Sequence, residues 1–173
     1  FTRGYTFQIA RSSGPLNTAL GGLGGHGPIP WGSEPHSVLR ERFAHTITIA
    51  VIGEDLPEYT NMVTIDQDLS DSHGIPSPKI SYTVSPNSER MMDHGITKAA
   101  EVLGASGAKD VIINPLLRPA GWHLMGTAKM GTDPHTSVVD EFCKTHDVEN
   151  LYVIDGSILV TGGAVNPTST IQE

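Results

Sequence analysis

The stretch GWHLMGTAKMGTDP, residues 121–134, places a single histidine among three glycines. This composition predicts a loop or a short strand, because glycine disfavours the interior of a helix. Glycine has no Cβ, so it lets the backbone approach a ligand closely. His123 carries the side chain best matched to moving a proton near neutral pH. We therefore expect the segment from residue 121 onward to face a bound ligand.

The composition indicates an ordered, acidic chain. Its 173 residues are enough for a domain with a real core, and β-branched and apolar runs recur along it. The net charge of −8 argues against nucleic acid and anionic membrane surfaces as partners. No run of about 18 apolar residues is present, so we expect no membrane span. The start at Phe1, without an initiator Met, predicts a fragment or a processed piece.

Strand patterns dominate the first part of the chain. The strongest is 44–53, which is rich in β-branched residues and predicts a central strand. Further strand patterns cover 5–10, 61–66, 79–84 and 110–113. Strands that follow one another through short turns most simply form an antiparallel sheet. We therefore expect the strands over 44–84 to share one antiparallel sheet.

Two helices are predicted beside this sheet. A short one covers Ser37–Phe43. A longer one begins at Ser85 as N-cap, with Pro86 in the first helical position, and runs to Leu103. Its apolar residues recur at helical spacing, namely Met91, Met92, Ile96, Ala99, Ala100 and Leu103. Helices beside an antiparallel sheet predict an α+β fold.

Three tempting motifs lack the context that their chemistry requires. Residues 22–27 match GxGxxG, but prolines on both sides deny the following helix, so we interpret residues 12–35 as a long mobile loop. The acidic turn at 66–74 lacks the glycine and glutamate of a calcium loop. The histidines other than His123 show no ligand spacing and are interpreted as surface or loop residues. We therefore predict no metal site, and no nucleophilic role for Cys143.

The C-terminal segment supplies the remaining candidate residues. Residues 151–157 predict a buried strand that ends in a tight turn, where Asp155 and Gly156 could meet a ligand. Further on, Asn166 suits a helix N-cap and Pro167 the first helical position, with Thr168 in the first turn. The N–H groups at a helix start favour an electron-rich ligand edge.

Several of these blocks together resemble the C-terminal region of the glucose–methanol–choline (GMC) oxidoreductases, which are flavin-dependent enzymes. The blocks are HLMGTAKMG at 123–131, DP at 133–134, SVVD at 137–140, NLYVIDGS at 150–157 and NPT at 166–168. Their order and spacing match over about fifty residues, which is a specific signal. The WHLMGT variant is most similar to sugar-oxidising members of the gluconate dehydrogenase and pyranose oxidase type.

The resemblance implies two domains. Family members join an FAD-binding domain with a Rossmann-like βαβ unit to a substrate-binding domain, in which helices flank an antiparallel sheet. Residues 1–120 would be the substrate-binding domain, and residues 121–173 the catalytic and FAD-contacting C-terminal segment. The dinucleotide fingerprint of the FAD domain is absent from this sequence. We therefore expect a missing N-terminal FAD-binding part of the same protein to be the partner of this chain.

The resemblance also implies a reaction and a cofactor, FAD. A sugar or other alcohol hydroxyl is oxidised to a carbonyl by hydride transfer to flavin N5. His123 would act as the base, with Asn166 as its partner across the substrate oxygen. Asp155 and Gly156 would contact the FAD, and the three residues Asn166, Pro167 and Thr168 would lie beside the flavin ring.

Other interpretations remain open from the residues alone. The chain could be a non-catalytic, β-rich carbohydrate-binding module that uses Trp31, Trp122 and Tyr82 as stacking platforms. A metal hydrolase that uses the histidines is disfavoured by their spacing. His123 could also be a packed structural residue, and Asn166 only an N-cap.

Overall fold

The computed structural model describes residues 1–11, 14–21, 27–115 and 121–173. The strands are β1 (Tyr5–Arg11), β2 (Ile47–Gly53), β3 (Met62–Ser70) and β4 (Pro76–Ser81). The α-helices are α1 (Pro15–Ala19), α2 (Pro35–Arg42), α3 (Pro86–Ala105) and α4 (Thr168–Gln172). A 3₁₀ helix covers Gly156–Ile158. Strands and helices together give the α+β composition that the sequence predicts.

The chain divides into two compact units. The first contains Phe1–Gly4, Gly53–Arg90 and Gly121–Glu173, and the second contains Tyr5–Ile52 and Met91–Ala120. All the predicted site residues lie in the first unit. Among the described helices, none combines the length and the apolar character that are needed to cross a bilayer.

The strands form two separate sheets, so the prediction of one sheet over 44–84 is wrong. β2 is hydrogen-bonded to β1, whereas β3 pairs with β4. Within the described residues β2 has one neighbouring strand, so it is not central as predicted. The connection between β2 and β3 explains the difference, because residues 54–61 include Pro57 and are too long and irregular for a tight hairpin.

The β3–β4 hairpin is antiparallel and regular over its first half. Val63 stands opposite Ile80, and Ile65 stands opposite Pro78, with a register shift between Ile65 and Ser70. Opposite residues share a face of the sheet, so these four side chains form one apolar face. This face is open, because Ile65 is 62% exposed and Ile80 is 70% exposed.

The acidic residues of the hairpin serve its backbone. Asp71 Oδ1 accepts the N–H groups of His73 at 2.8 Å and Ile75 at 2.9 Å. Gly74 lies in the same turn with a φ of 81°, a left-handed conformation that suits glycine. In β3, Asp66 Oδ1 accepts two further backbone N–H groups, those of Asp68 and Leu69.

Helix α3 lies close to its predicted bounds. Ser85 Oγ accepts the N–H of Ser88 at 3.2 Å, which is the expected side-chain cap. Met91 and Ala99 are buried, as their helical spacing predicts. The helix continues two residues beyond Leu103, and the left-handed Gly107, with a φ of 88°, follows its end.

Several of the shorter predicted elements are not formed in the structure. Residues 110–113 form no strand, and 12–35 contains α1 and the start of α2, although residues 12–13 and 22–26 lie outside the described part. Residues 151–157 are not a buried strand: only Tyr152 forms a bridge, to Lys144, and Ile154 is 75% exposed. Short β-branched runs satisfy a strand pattern without having a partner strand, which is why periodicity alone misleads here.

Candidate active site

The structure brings His123 and Asn166 together across 43 positions of sequence. His123 Nε2 lies 2.8 Å from Asn166 Oδ1, and both side chains are exposed. An amide oxygen can only accept a hydrogen bond, so the Nε2–H of His123 donates to it. A half turn of the amide would present its NH₂ group instead, and Nε2 would then be the acceptor. Which of the two groups donates therefore depends on the tautomer of the imidazole and on the orientation of the amide.

Backbone hydrogen bonds place the histidine stretch against later parts of the chain. The N–H of Ala128 donates to Ser157 O at 3.0 Å, and the N–H of Met130 donates to Ile158 O at 2.9 Å. Beyond them, the N–H of Gly131 donates to Val139 O at 2.9 Å. Val139 is fully buried, so this irregular network has an apolar centre.

Two glycines allow close contacts within this network. A Cβ on Gly156 would lie 3.3 Å from Leu124 O and 3.2 Å from Ile171 Cδ1. Gly156 therefore lies directly against the backbone beside His123 and against α4. A Cβ on Gly131 would lie 2.9 Å from Ser137 Cβ, closer than side chains pack. The sequence predicted that these glycines allow a ligand to approach the backbone closely. In the structure they also allow other parts of the same chain to approach closely.

Asp155 forms the turn that starts the 3₁₀ helix. Its Oδ1 accepts the N–H of Ser157 at 2.8 Å. Hydrogen bonds from the side chain and the backbone of Ser157 hold the pKa of Asp155 below its usual value. Asp155 is exposed and stays ionised at neutral pH, so a negative charge marks this edge of the segment.

The approach to Asn166 is an unusual piece of backbone. Ala164 is buried and has a φ of 54°, in the left-handed region that residues with a Cβ rarely adopt. Asn166 is not the N-cap that the sequence predicts, because α4 begins at Thr168 and Pro167 occupies the cap position. The Asn166 side chain meets His123 instead, which explains why it does not cap the helix. Thr168, the first residue of α4, is exposed.

His146 is a structural residue that the sequence pattern missed. It lies in an irregular segment, which agrees with the prediction of a surface or loop position, and it is half-buried there. Its Nε2 lies 3.1 Å from Gly131 O, which must accept, and 3.0 Å from Ser137 Oγ. The Ser137 hydroxyl donates to Asp133 O at 2.6 Å, so this serine is not activated as a nucleophile by the histidine. No local signal in the sequence marks this cross-link.

The alternative interpretations find less support in the geometry. Tyr82 Oη donates to Asp55 Oδ2 at 2.5 Å and so belongs to the polar network at the start of α3. In the described ranges, no group of three or more His, Cys, Asp or Glu side chains converges on a common point.

An exposed imidazole that is hydrogen-bonded to a carboxamide is chemically able to accept or donate a proton. The family model for GMC oxidoreductases matches residues 57–172, more than half of the chain. The chain therefore belongs to the GMC oxidoreductase family, and the resemblance seen in the sequence is confirmed.

Individual relatives agree with this assignment. A 2-methyl-1,2-propanediol dehydrogenase from Mycolicibacterium austroafricanum is 43% identical over 175 residues, which cover 99% of this chain and 31% of the relative. A fructose dehydrogenase large subunit from Gluconobacter japonicus is 32% identical, covering 77% of this chain and 24% of the relative. A pyranose 2-oxidase from Lyophyllum shimeji is 27% identical, covering 82% and 24%. The chain spans about a quarter to a third of the length of these relatives.

Proposed function

We propose that this chain is the C-terminal part of an FAD-dependent oxidoreductase that converts a sugar or other alcohol hydroxyl to a carbonyl. In this proposal residues 1–120 belong to the substrate-binding domain. Residues 121–173 supply the catalytic pair and close an FAD-binding, Rossmann-like domain, most of which lies in the N-terminal remainder of the protein. Family membership favours this function over a carbohydrate-binding module.

One observation carries the proposal: the 2.8 Å contact between His123 Nε2 and Asn166 Oδ1. An imidazole and a carboxamide that are already hydrogen-bonded to each other can each form a hydrogen bond to an oxygen inserted beside them. The names of the relatives support a hydroxyl compound as the substrate, because they include a diol dehydrogenase and a fructose dehydrogenase.

In the reaction, His123 takes the proton from the substrate hydroxyl through Nε2, in the tautomer that carries its own proton on Nδ1 and leaves Nε2 free to accept. Asn166 turns its NH₂ group toward the same oxygen and donates a hydrogen bond, which holds the oxygen in place without competing for the proton. Oxygen keeps its electron pair and forms the second bond to carbon. The flavin, when bound, supplies the redox chemistry by accepting the hydride from that carbon at N5. Proton removal by a positioned base contributes roughly 10²–10⁴-fold to the rate.

The residues present fit such a cofactor in their chemistry. Thr168 offers an exposed hydroxyl, and the first N–H groups of α4 have no earlier turn of helix to bond to. Asn166 and Pro167 directly precede these groups. The Asn166 amide, the Thr168 hydroxyl and the N–H groups therefore follow one another along the chain, and the Asn166 amide contacts the proposed base. Gly156 keeps the adjacent backbone free of a side chain. We propose that Asp155, Gly156, Asn166, Pro167 and Thr168 contact the FAD.

The test uses the full-length protein that contains this chain, loaded with flavin. His123→Ala should keep the yellow flavin spectrum but slow anaerobic flavin reduction by about 10²–10⁴-fold. The substrates to screen are 2-methyl-1,2-propanediol, fructose and simple pyranoses. Stopped-flow absorbance measures the rate of reduction directly.

The matched control is His73→Ala, which removes an exposed histidine from the β3–β4 turn. It should leave the reduction rate unchanged, because only the backbone N–H of His73 takes part in its contact with Asp71. Reduction of the His123→Ala protein at the wild-type rate would remove His123 from the mechanism.

A further inference from the structure

The first compact unit contains a cavity of about 380 Å³ that is open to solvent and that the proposed reaction does not use. Its walls include Tyr59, Thr127, Lys129, His135 and Thr136. None of these residues belongs to the proposed catalytic pair or to the proposed FAD contacts. The volume falls in the range of small-molecule sites, roughly 300–1,000 Å³.

The charge of this cavity is opposite to that of the chain. The whole chain carries a net charge of −8, yet no aspartate or glutamate lines the cavity. Lys129 is half-buried, and its ammonium makes no ion pair with any carboxylate in the described ranges. The nearest acidic residue in sequence, Asp133, directs Oδ1 to the N–H of His135 at 2.9 Å. Lys129 is thus a charged side chain of the cavity wall that forms no ion pair with an acidic side chain in the described ranges.

Tyr59, which is 88% exposed, lies beside this cation. Lys129 Nζ lies 5.6 Å from the centroid of the Tyr59 ring, within the range of a cation–π contact. The contact orients the ammonium but leaves its charge uncancelled and its N–H groups available. A positioned ammonium with free donors is well suited to an anionic oxygen.

Further polar groups surround it. The Thr127 hydroxyl, the Tyr59 hydroxyl and the His135 ring form no hydrogen bond to any other residue that the structure describes. The Thr136 hydroxyl reaches Asp133 O only at 3.5 Å, which is too long for a strong bond. The cavity therefore offers several donors in addition to Lys129, and a set of donors lining one cavity suits an anion with several oxygens.

We propose that this cavity binds the anionic group, a carboxylate or a phosphate, of a small organic molecule, with Lys129 as its principal contact. The volume is large enough for a small organic molecule that carries the anion. That ligand is either a separate small molecule or the phosphate-bearing part of a cofactor bound by the full-length protein. The proposal stands independently of the role of His123.

Binding is tested on the full-length, flavin-loaded protein with inorganic phosphate as the probe, by titration calorimetry at low ionic strength. Wild type should show saturable binding, in the loaded form if the ligand is a separate molecule and only in the flavin-stripped form if the ligand is the cofactor. Lys129→Met should weaken it by about tenfold or more, because a charge-assisted contact is lost. Lys129→Arg, which keeps the charge, should stay within a few-fold of wild type. Thr127→Val, which keeps the side-chain shape, should weaken binding by a smaller factor.

The matched control is Lys109→Met, which makes the same change of charge at an exposed lysine in the second unit. It should leave phosphate affinity unchanged.

If only the flavin-stripped protein binds phosphate, with the same dependence on Lys129, the cofactor is the source of the anion. If the loaded protein binds it, the source is a separate molecule. No binding in either form, or equal losses in Lys129→Met and Lys109→Met, would overturn the proposal. His123→Ala should bind phosphate like wild type, which separates this result from the test of the reaction.

Discussion

Two stretches of this chain differ in their content of regular secondary structure and in the burial of their side chains. Residues 62–105 contain two long strands and a helix of 20 residues. Residues 121–173 contain only short helical turns and isolated bridges. Yet Val139 in the irregular stretch is 0% exposed, whereas Val63 in β3 is 49% exposed. Regular secondary structure and burial therefore do not coincide in this molecule.

The difference teaches where the proposed site derives its geometry. His123 and Asn166 both lie in the irregular stretch, where backbone groups and turn carboxylates bond to one another across many positions. Each of these contacts requires one particular residue. If the chain shifted by one position, that residue would lose its hydrogen-bond partner, because no repeating ladder offers an equivalent one. The hairpin, in contrast, is held mainly by its repeating ladder.

The largest expected difference comes from the same valine substitution in both stretches. Val139→Ala should lower the free energy of unfolding by about 2–3 kcal/mol, because it removes buried methyl groups and leaves a void. Val63→Ala should lower it by less than about 0.5 kcal/mol, because that side chain is half in solvent. Urea denaturation of the 173-residue chain, followed by circular dichroism, gives both values. Equal losses would show that the open face of the hairpin is covered in solution, and the contrast would fail.

A second pair compares glycines. Gly131→Ala should destabilise the chain by about 1–3 kcal/mol, because the new methyl group would press against Ser137, whose hydroxyl is fixed by Asp133. Gly104→Ala should instead stabilise it by up to about 1 kcal/mol, because Gly104 lies in α3 with open space around its Cα. The two melting temperatures should move in opposite directions. A loss of stability in Gly104→Ala would mean that α3 makes contacts on that face.

The smallest effect is a change in titration at Tyr82, at the end of the hairpin. Partial burial, then the hydrogen bond to Asp55 and the charge of Asp55, raise the pKa of Tyr82 above its ordinary value of 10.0. The unfolded chain therefore loses this proton first, and the contribution to stability falls as the pH rises above about 10. Phenolate absorbance should show one late-titrating group that Tyr82→Phe removes. Asp55→Asn should move the pKa of Tyr82 back toward its ordinary value, and an unchanged titration would contradict the proposed cause.

Sequence reasoning succeeded where a local signal is sufficient. Helix α3 was predicted because Ser85 and Pro86 mark its start and apolar residues follow the helical period. Strand pairing was not predictable in the same way. The apolar character of 44–53 indicates a strand but carries no information about which strand lies beside it, and β2 pairs with β1 from far earlier in the chain.

The candidate site also depends on contacts for which the sequence carries no local signal. Nothing local joins His123 to Asn166 across 43 positions, and only the family resemblance placed them together before the structure did. The resemblance could not show the cross-link through His146, because a half-buried histidine and a surface histidine look alike in sequence. It also could not indicate the cavity around Lys129, since that cavity depends on Tyr59 from a distant part of the chain.

The left-handed Ala164 has a consequence for attempts to improve this protein. Its φ of 54° stores about 1–2 kcal/mol that a glycine would release, so stability-guided redesign would select that replacement. The same replacement would loosen the backbone two residues before Asn166. In the proposed reaction, this more stable variant would remove the substrate proton more slowly, so stability and rate would be linked through a single methyl group.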